Sequence, residues 1–153
     1  MLAVTVVAVA TTVTLNDSYG SRLVVAGAGF LLNNEMDDFS AKPFAPNLYG
    51  LVGSDANAIE PGKRMLSSMA PTIVLRGGEP FLVLGTPGGA TIITTVAQMI
   101  VNVVDFGMTI EDAVAAPRFH HQWLPDRVSF EPGTQWSTST PTRRPFAAAV
   151  RRR

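Results

Sequence analysis

The run Gly85-Thr-Pro-Gly-Gly-Ala-Thr91 constrains this chain more than any other feature, because it separates a strand pattern from a helix pattern. Before it, Thr72-Ile-Val-Leu75 and Phe81-Leu-Val-Leu84 are apolar and rich in strand formers. They flank Arg-Gly-Gly-Glu-Pro, and the two glycines predict a β-hairpin over residues 70–85. After it, apolar residues at Ile92, Val96, Met99, Ile100, Val103 and Val104 predict a helix over residues 90–106 with one broad buried face. Gly107 suits the helix end, and Thr109-Ile-Glu-Asp112 reads as the N-cap and acidic first turn of a second helix that runs to about Ala116, before Pro117. Strands followed by helices predict an α+β fold in which helices cover one face of a sheet.

The rest of the chain is less regular. Residues 4–15 are rich in β-branched side chains and predict one long or bent strand. Asn16-Asp-Ser-Tyr-Gly20 is a turn cluster. Residues 22–33 read as irregular backbone leading into a short strand at Phe30-Leu31-Leu32. Residues 34–61, with three prolines and two glycines, predict a long loop. The apolar start lacks a basic segment before it, so no signal peptide is expected, and it is too short to span a membrane, which takes about 20 apolar residues. From Thr134 onward the chain is rich in Ser, Thr, Pro and Arg and is expected to be a disordered basic tail, leaving residues 1–133 as the domain.

Charge follows the same division. The net charge of the chain is zero, but residues 1–136 carry seven basic against twelve acidic groups, a net of −5. An acidic body of that kind does not invite nucleic acid. Cysteine is absent, which excludes disulfides, thiolate metal sites and a cysteine nucleophile.

Four clusters offer chemistry. Thr14-Leu-Asn16 closes the predicted first strand, where polar groups are well presented, although Asn16 also suits a plain turn. Asn33-Asn-Glu-Met-Asp-Asp38 gathers amides and carboxylates that could hold an ammonium, or form a solvated loop; it lacks the glycine and distal glutamate of an EF-hand. Ser67 and Ser68 offer hydroxyl donors to a carboxylate but lack the Gly-x-Ser-x-Gly elbow of a nucleophile. Gly88 and Gly89 can turn backbone N–H groups toward an anion beside a helix start, as a phosphate site or an oxyanion hole. The lysine of a P-loop and the Gly-x-Gly-x-x-Gly of a dinucleotide site are both missing. His120-His121 has no third ligand at metal spacing, so packed or surface histidines are expected there and no metal.

Taken together, Leu31-Leu-Asn-Asn-Glu-Met-Asp-Asp-Phe-Ser-Ala41, Leu66-Ser-Ser-Met-Ala-Pro-Thr72, Gly85-Thr-Pro-Gly-Gly89 and Ala116-Pro-Arg-Phe-His-His-Gln-Trp123 resemble, in order and spacing, the small subunit of the γ-glutamyltranspeptidases, over about residues 8–133. The resemblance implies an N-terminal-nucleophile hydrolase fold, an α/β/β/α sandwich of which this chain forms part. It also implies transfer or hydrolysis of γ-glutamyl compounds such as glutathione through an acyl-enzyme, with no cofactor.

On that resemblance, Thr14 hydrogen-bonds the nucleophilic threonine. Asn16, Glu35 and Asp38 hold the substrate α-amino group, Ser67 and Ser68 hold its α-carboxylate, and Gly88 and Gly89 form the oxyanion hole. A large subunit from the same precursor is the implied partner, and the family is periplasmic or extracellular. The family's Thr-Thr-His-like nucleophile run would precede Met1, and its pattern fades after Glu131-Pro-Gly133. The alternative expectation is therefore a catalytically inactive fragment, truncated at both ends and poorly soluble alone because its strands lack neighbours.

Overall fold

The computed structural model describes residues 7–133 and the backbone of Arg151 and Arg152. Most of the expected basic tail, and residues 4–6 of the expected first strand, lie outside the described residues.

The hairpin forms as expected. Strand β1, Thr72–Arg76, pairs antiparallel with β2, Glu79–Leu84. Gly77 and Gly78 make the two-residue turn, both at positive φ (62° and 90°). A tight turn whose twist matches the strands requires that backbone, and glycine adopts it without strain. Pro80 has no N–H to give to the ladder, and the register shifts between Val74 and Leu75, opposite it.

The glycine run then passes through a short 3-10 turn, Gly89–Thr91, into helix α1, Ile92–Val104. The expected helix is thus shorter at both ends. Its first residues close a tighter turn, because Gly88 at φ 143° lies outside helical space. Ile92, Thr95, Val96 and Met99 are buried, at the i, i+3, i+4, i+7 spacing that puts them on one stripe. That stripe packs on Leu82 and Leu84 of β2, with Met69, Val74, Phe81, Ile100 and Val103 around it. Helix α2, Ile110–Ala115, starts at Thr109, whose hydroxyl oxygen accepts from the Asp112 N–H at 3.1 Å. Ala113 is its buried residue, and α2 packs against α1.

A second small sheet follows. β3, Phe119–His120, pairs antiparallel with β4, Ser129–Phe130, and the backbone of β5, Arg151–Arg152, lies parallel to β4. Gln98 on α1 holds β3 in place. Its side-chain nitrogen donates to the Phe119 carbonyl at 2.8 Å and its oxygen accepts from the Phe119 N–H at 3.1 Å.

Two expectations are corrected. Residues 7–15 form no β-ladder. Exposure alternates along residues 7–13, and the backbone bond the segment makes to another is from Asn34 N–H to the Leu15 carbonyl. Val7, Val9 and Val13 are strongly exposed (80, 73 and 89%). Valines favour an extended backbone, but a ladder also needs a neighbour, and none pairs with this segment among the described residues. The short strand at residues 30–32 reduces to a single bridge, Leu31 to Val24, across a turn containing Gly27 and Gly29. The long loop of residues 34–61 contains two 3-10 turns, Glu35–Asp38 and Asp55–Asn57.

The architecture is α+β, with one helix layer on one face of a hairpin. The opposite face of the hairpin presents Ile73, Leu75 and Val83 to solvent. A core this small tolerates little loss. Met99→Ala is expected to destabilise the chain by about 2–3 kcal/mol in urea unfolding, whereas Ile93→Ala, at an exposed position of the same helix, should stay within about 0.5 kcal/mol.

Candidate functional site

Four separated segments converge beside the glycine run, and hydrogen bonds explain why. In the first, the Thr14 hydroxyl oxygen accepts from Asn16 N–H at 2.8 Å, and Asn16 takes a positive φ of 73°. An asparagine tolerates that backbone better than most residues. Asn34 clasps this turn from the second segment. Its side-chain oxygen accepts from Asp17 N–H at 2.9 Å, and its carbonyl accepts from the Asn16 amide at 3.2 Å.

Asn57 joins the second segment to the third. Its amide donates to the Asp38 carbonyl at 2.7 Å, and its oxygen accepts from Leu66 N–H at 3.1 Å, setting Ser67 and Ser68 beside Asp38. The Ser67 hydroxyl oxygen accepts from Met69 N–H at 3.2 Å, which leaves its proton available to another group. The fourth segment is Gly88-Gly89, at φ 143° and 56°. The N–H groups of these two residues have no acceptor among the described residues. The turn is closed instead through the Gly88 carbonyl, which accepts from Thr91.

These segments line one open cavity of about 650 Å³. Thr14, Asn16, Asp38, Ser67, Ser68, Gly88 and Gly89 all border it, so seven of the eight residues singled out from sequence meet there. Glu35 is not among the lining residues. It opens the 3-10 turn that carries Asp38 and feels that carboxylate's charge.

Sequence reasoning missed Tyr49. It stands at the cavity wall, its hydroxyl donates to the Asn16 carbonyl at 2.5 Å, and its ring lies against Gly89. A Cβ at Gly89 would come within 2.7 Å of that ring, so this contact needs glycine. Local pattern does not reveal such a role: Tyr49 lies 33 residues beyond its partner, in a Pro/Gly-rich loop.

The site is electronegative on one side. Burial raises the Asp38 carboxyl above its ordinary range, and the neighbouring charge of Asp37 adds to the effect. Burial also raises Glu35, with Asp38 adding. The Tyr49 phenol is raised by burial and then by Asp17, Asp38, Asp37 and Glu35. Each of these groups is disfavoured in its negative form, so a cation placed among them would offset their mutual repulsion and favour the ionised carboxylates.

His120 lies away from the cavity lining. Its ring bridges the Thr94 hydroxyl (2.8 Å) and the Gln122 oxygen (2.9 Å). His121 contacts Asp126 at 3.0 Å. Among the described residues, no group of three or more His, Asp or Glu side chains could hold a metal ion, and no helix is long and apolar enough to cross a membrane.

Comparison with known proteins gives the same picture a family. The sequence pattern of the gamma-glutamyltranspeptidases matches residues 5–143. The chain is 60% identical over 126 residues to a glutathione hydrolase proenzyme of Escherichia coli, covering 82% of this chain and 22% of that protein. It is 64% identical over 118 residues to one of Pseudomonas aeruginosa, covering 77% and 21%. The chain therefore spans about a fifth of the length of these relatives. Its structure superposes with a TM-score of 0.78 on a gamma-glutamyltranspeptidase of Pseudomonas nitroreducens complexed with L-DON, at 58% identity over 84% of this chain and 67% of that one. The match covers nearly all the described residues and the segments that line the cavity, and the chain accordingly belongs to the gamma-glutamyltranspeptidase family.

Proposed function

We propose that this chain supplies the substrate-holding wall and oxyanion hole of a site that hydrolyses or transfers the γ-glutamyl group of glutathione and related compounds. The observation that carries the reading is the meeting of Thr14, Asn16, Asp38, Ser67, Ser68, Gly88 and Gly89, from four separated segments, at one cavity. A γ-glutamyl group has an ammonium, a carboxylate and an acyl carbon, and these residues offer a complement to each.

In this reading Asp38, the Asn16 side chain and, at longer range, Glu35 hold the α-ammonium. The Ser67 and Ser68 hydroxyls donate to the α-carboxylate. Attack by the family's N-terminal threonine on the γ-carbonyl would put negative charge on its oxygen. The N–H groups of Gly88 and Gly89 are free to donate to it. Collapse then expels the amine and leaves an ester, which water or an acceptor amine cleaves. Thr14 has a role beside the nucleophile: its oxygen already accepts from Asn16 N–H, so its own proton can be donated. The hairpin and α1 would be one side of the family's α/β/β/α sandwich. A large subunit would cover the exposed hairpin face, and the protein would work in the periplasm or outside the cell.

Turnover is tested by chromophore release from a γ-glutamyl anilide, with the purified chain alone and mixed with a family large subunit. Release from neither favours the alternative, a binding-competent chain that does not turn over. Binding is tested separately with L-glutamate by calorimetry. Asp38→Asn should weaken it about 10- to 100-fold, the range expected for losing one charge-assisted hydrogen bond. Unchanged affinity in that variant would remove Asp38 from the site.

The raised carboxyls set the sign of two pH effects. Glu35 and Asp38 hold protons more tightly folded than at their ordinary values of 4.5 and 3.8. Their contribution favours the fold below those values and is lost as pH rises through the raised ones, so Glu35→Gln should flatten stability across that acidic window. Because a bound ammonium prefers both carboxylates ionised, L-glutamate affinity should rise over the same window. A falling affinity would contradict the assigned roles.

A further inference from the structure

Tyr49 sits in a short turn, residues 47–51, whose internal bonds run from Gly50 N–H to the Asn47 carbonyl and from the Tyr49 and Leu51 N–H groups to the Asn47 side-chain oxygen. Those bonds shape the turn but do not locate it. Two anchors do: Asp37, whose carboxylate accepts from Leu48 N–H at 3.0 Å and whose carbonyl accepts from the Asn47 amide at 3.4 Å, and, beside Tyr49, a line of side chains reaching back to helix α1. The Thr94 hydroxyl lies 2.8 Å from His120 Nδ1, His120 Nε2 lies 2.9 Å from Gln122 Oε1, and Gln122 Nε2 donates to the Gly50 carbonyl at 3.0 Å.

The directions at the Gln122 end of this line are fixed by its neighbours. Gln122 Nε2 faces two carbonyls, those of Gly50 and Leu124, so the nitrogen must occupy that position. Gln122 Oε1 is then an acceptor, and His120 Nε2 must carry a proton toward it. His120 Nδ1 then faces the Thr94 hydroxyl at 2.8 Å, and the single proton of that hydroxyl is shared between Nδ1 and the Thr91 carbonyl at 3.0 Å. The line begins on α1, two residues after its first turn opens at Ile92, and ends one residue from Tyr49, whose ring lies on Gly89 just before that helix. It therefore closes a loop of contacts from the glycine run through α1, β3 and Gln122 to Tyr49 and back to Gly89.

We infer that His120 and Gln122 are positioning residues: through Gly50 they set Tyr49 over Gly89 and against Asn16, and so fix the width of the cavity. The first half of this inference is structural. The second half, that ligand affinity depends on it, rests on the reading of the cavity given above.

The chain has two tyrosines, and Tyr19 is exposed, so NMR of ring-labelled tyrosine gives one reporter and one internal reference. Gln122→Glu keeps the side-chain shape but turns an acceptor toward the Gly50 carbonyl. Thr94→Val removes the hydroxyl at the other end of the line, and Thr94→Ser restores it. In Gln122→Glu and Thr94→Val, the Tyr49 ring signal should move toward that of Tyr19. Amide exchange at Tyr49, Gly50 and Leu51 should quicken about tenfold, while α1 amides stay protected and so report an intact fold. Thr94→Ser should behave as the parent chain.

L-Glutamate binding, measured on the same samples, should weaken about three- to tenfold in the two disruptive variants. An unmoved Tyr49 signal with unchanged exchange overturns the inference. A moved signal with unchanged affinity overturns its functional half. If the parent chain does not bind L-glutamate, the proposed function fails, and the Tyr49 signal and exchange still decide whether the line positions the turn.

Discussion

The contact between the Tyr49 ring and Gly89 is the constraint on which the site depends. Gly89 lies at the point where the chain leaves the hairpin for α1, so its backbone is tied to the small core of Leu82, Leu84, Ile92, Val96 and Met99. Tyr49 belongs to a loop with little regular structure. The ring joins the two, and its hydroxyl extends the contact to Asn16, itself clasped by Asn34. One aromatic side chain thus links the best-packed part of the molecule to the two loops that carry the polar residues. It can come this close only because position 89 has no Cβ.

Around that link, asparagines carry much of the structure. Asn47 and Asn57 each hold backbone groups of other segments or of their own turn through both ends of the side-chain amide, and Asn34 holds the first segment through its side-chain oxygen and its carbonyl. A loop region without a ladder must satisfy its backbone polar groups in some other way, and a short side chain with one acceptor and two donors does this economically. The carboxylates beside these amides are consequently set in partly buried positions, where their raised proton affinity follows from burial and mutual repulsion.

The elements with a strong local signal were legible from the residues alone. The Gly77-Gly78 turn, the apolar stripe of α1 and the Thr109 cap each rest on interactions within a few positions along the chain. The first segment was not, because valines specify an extended backbone but do not specify a partner strand. At the site, the glycine pair and the acidic run are visible as candidates, but a tight turn explains the first equally well and a solvated loop explains the second better. Their meeting at one cavity depends on bonds between residues 16 and 34, 57 and 38, and 57 and 66, and no spacing rule announces them. Tyr49 was invisible for the same reason. The resemblance to a family connected the candidates where local chemistry could not.

The grip of Gln98 on Phe119 also bears on how the small sheet can grow. A side-chain amide that donates to the carbonyl and accepts from the N–H of one residue takes the place that a neighbouring strand's peptide group would fill. The helix thereby closes that edge of β3 to any further strand. Additional pairing is directed to the far side, beyond β4, where the backbone of Arg151 and Arg152 lies.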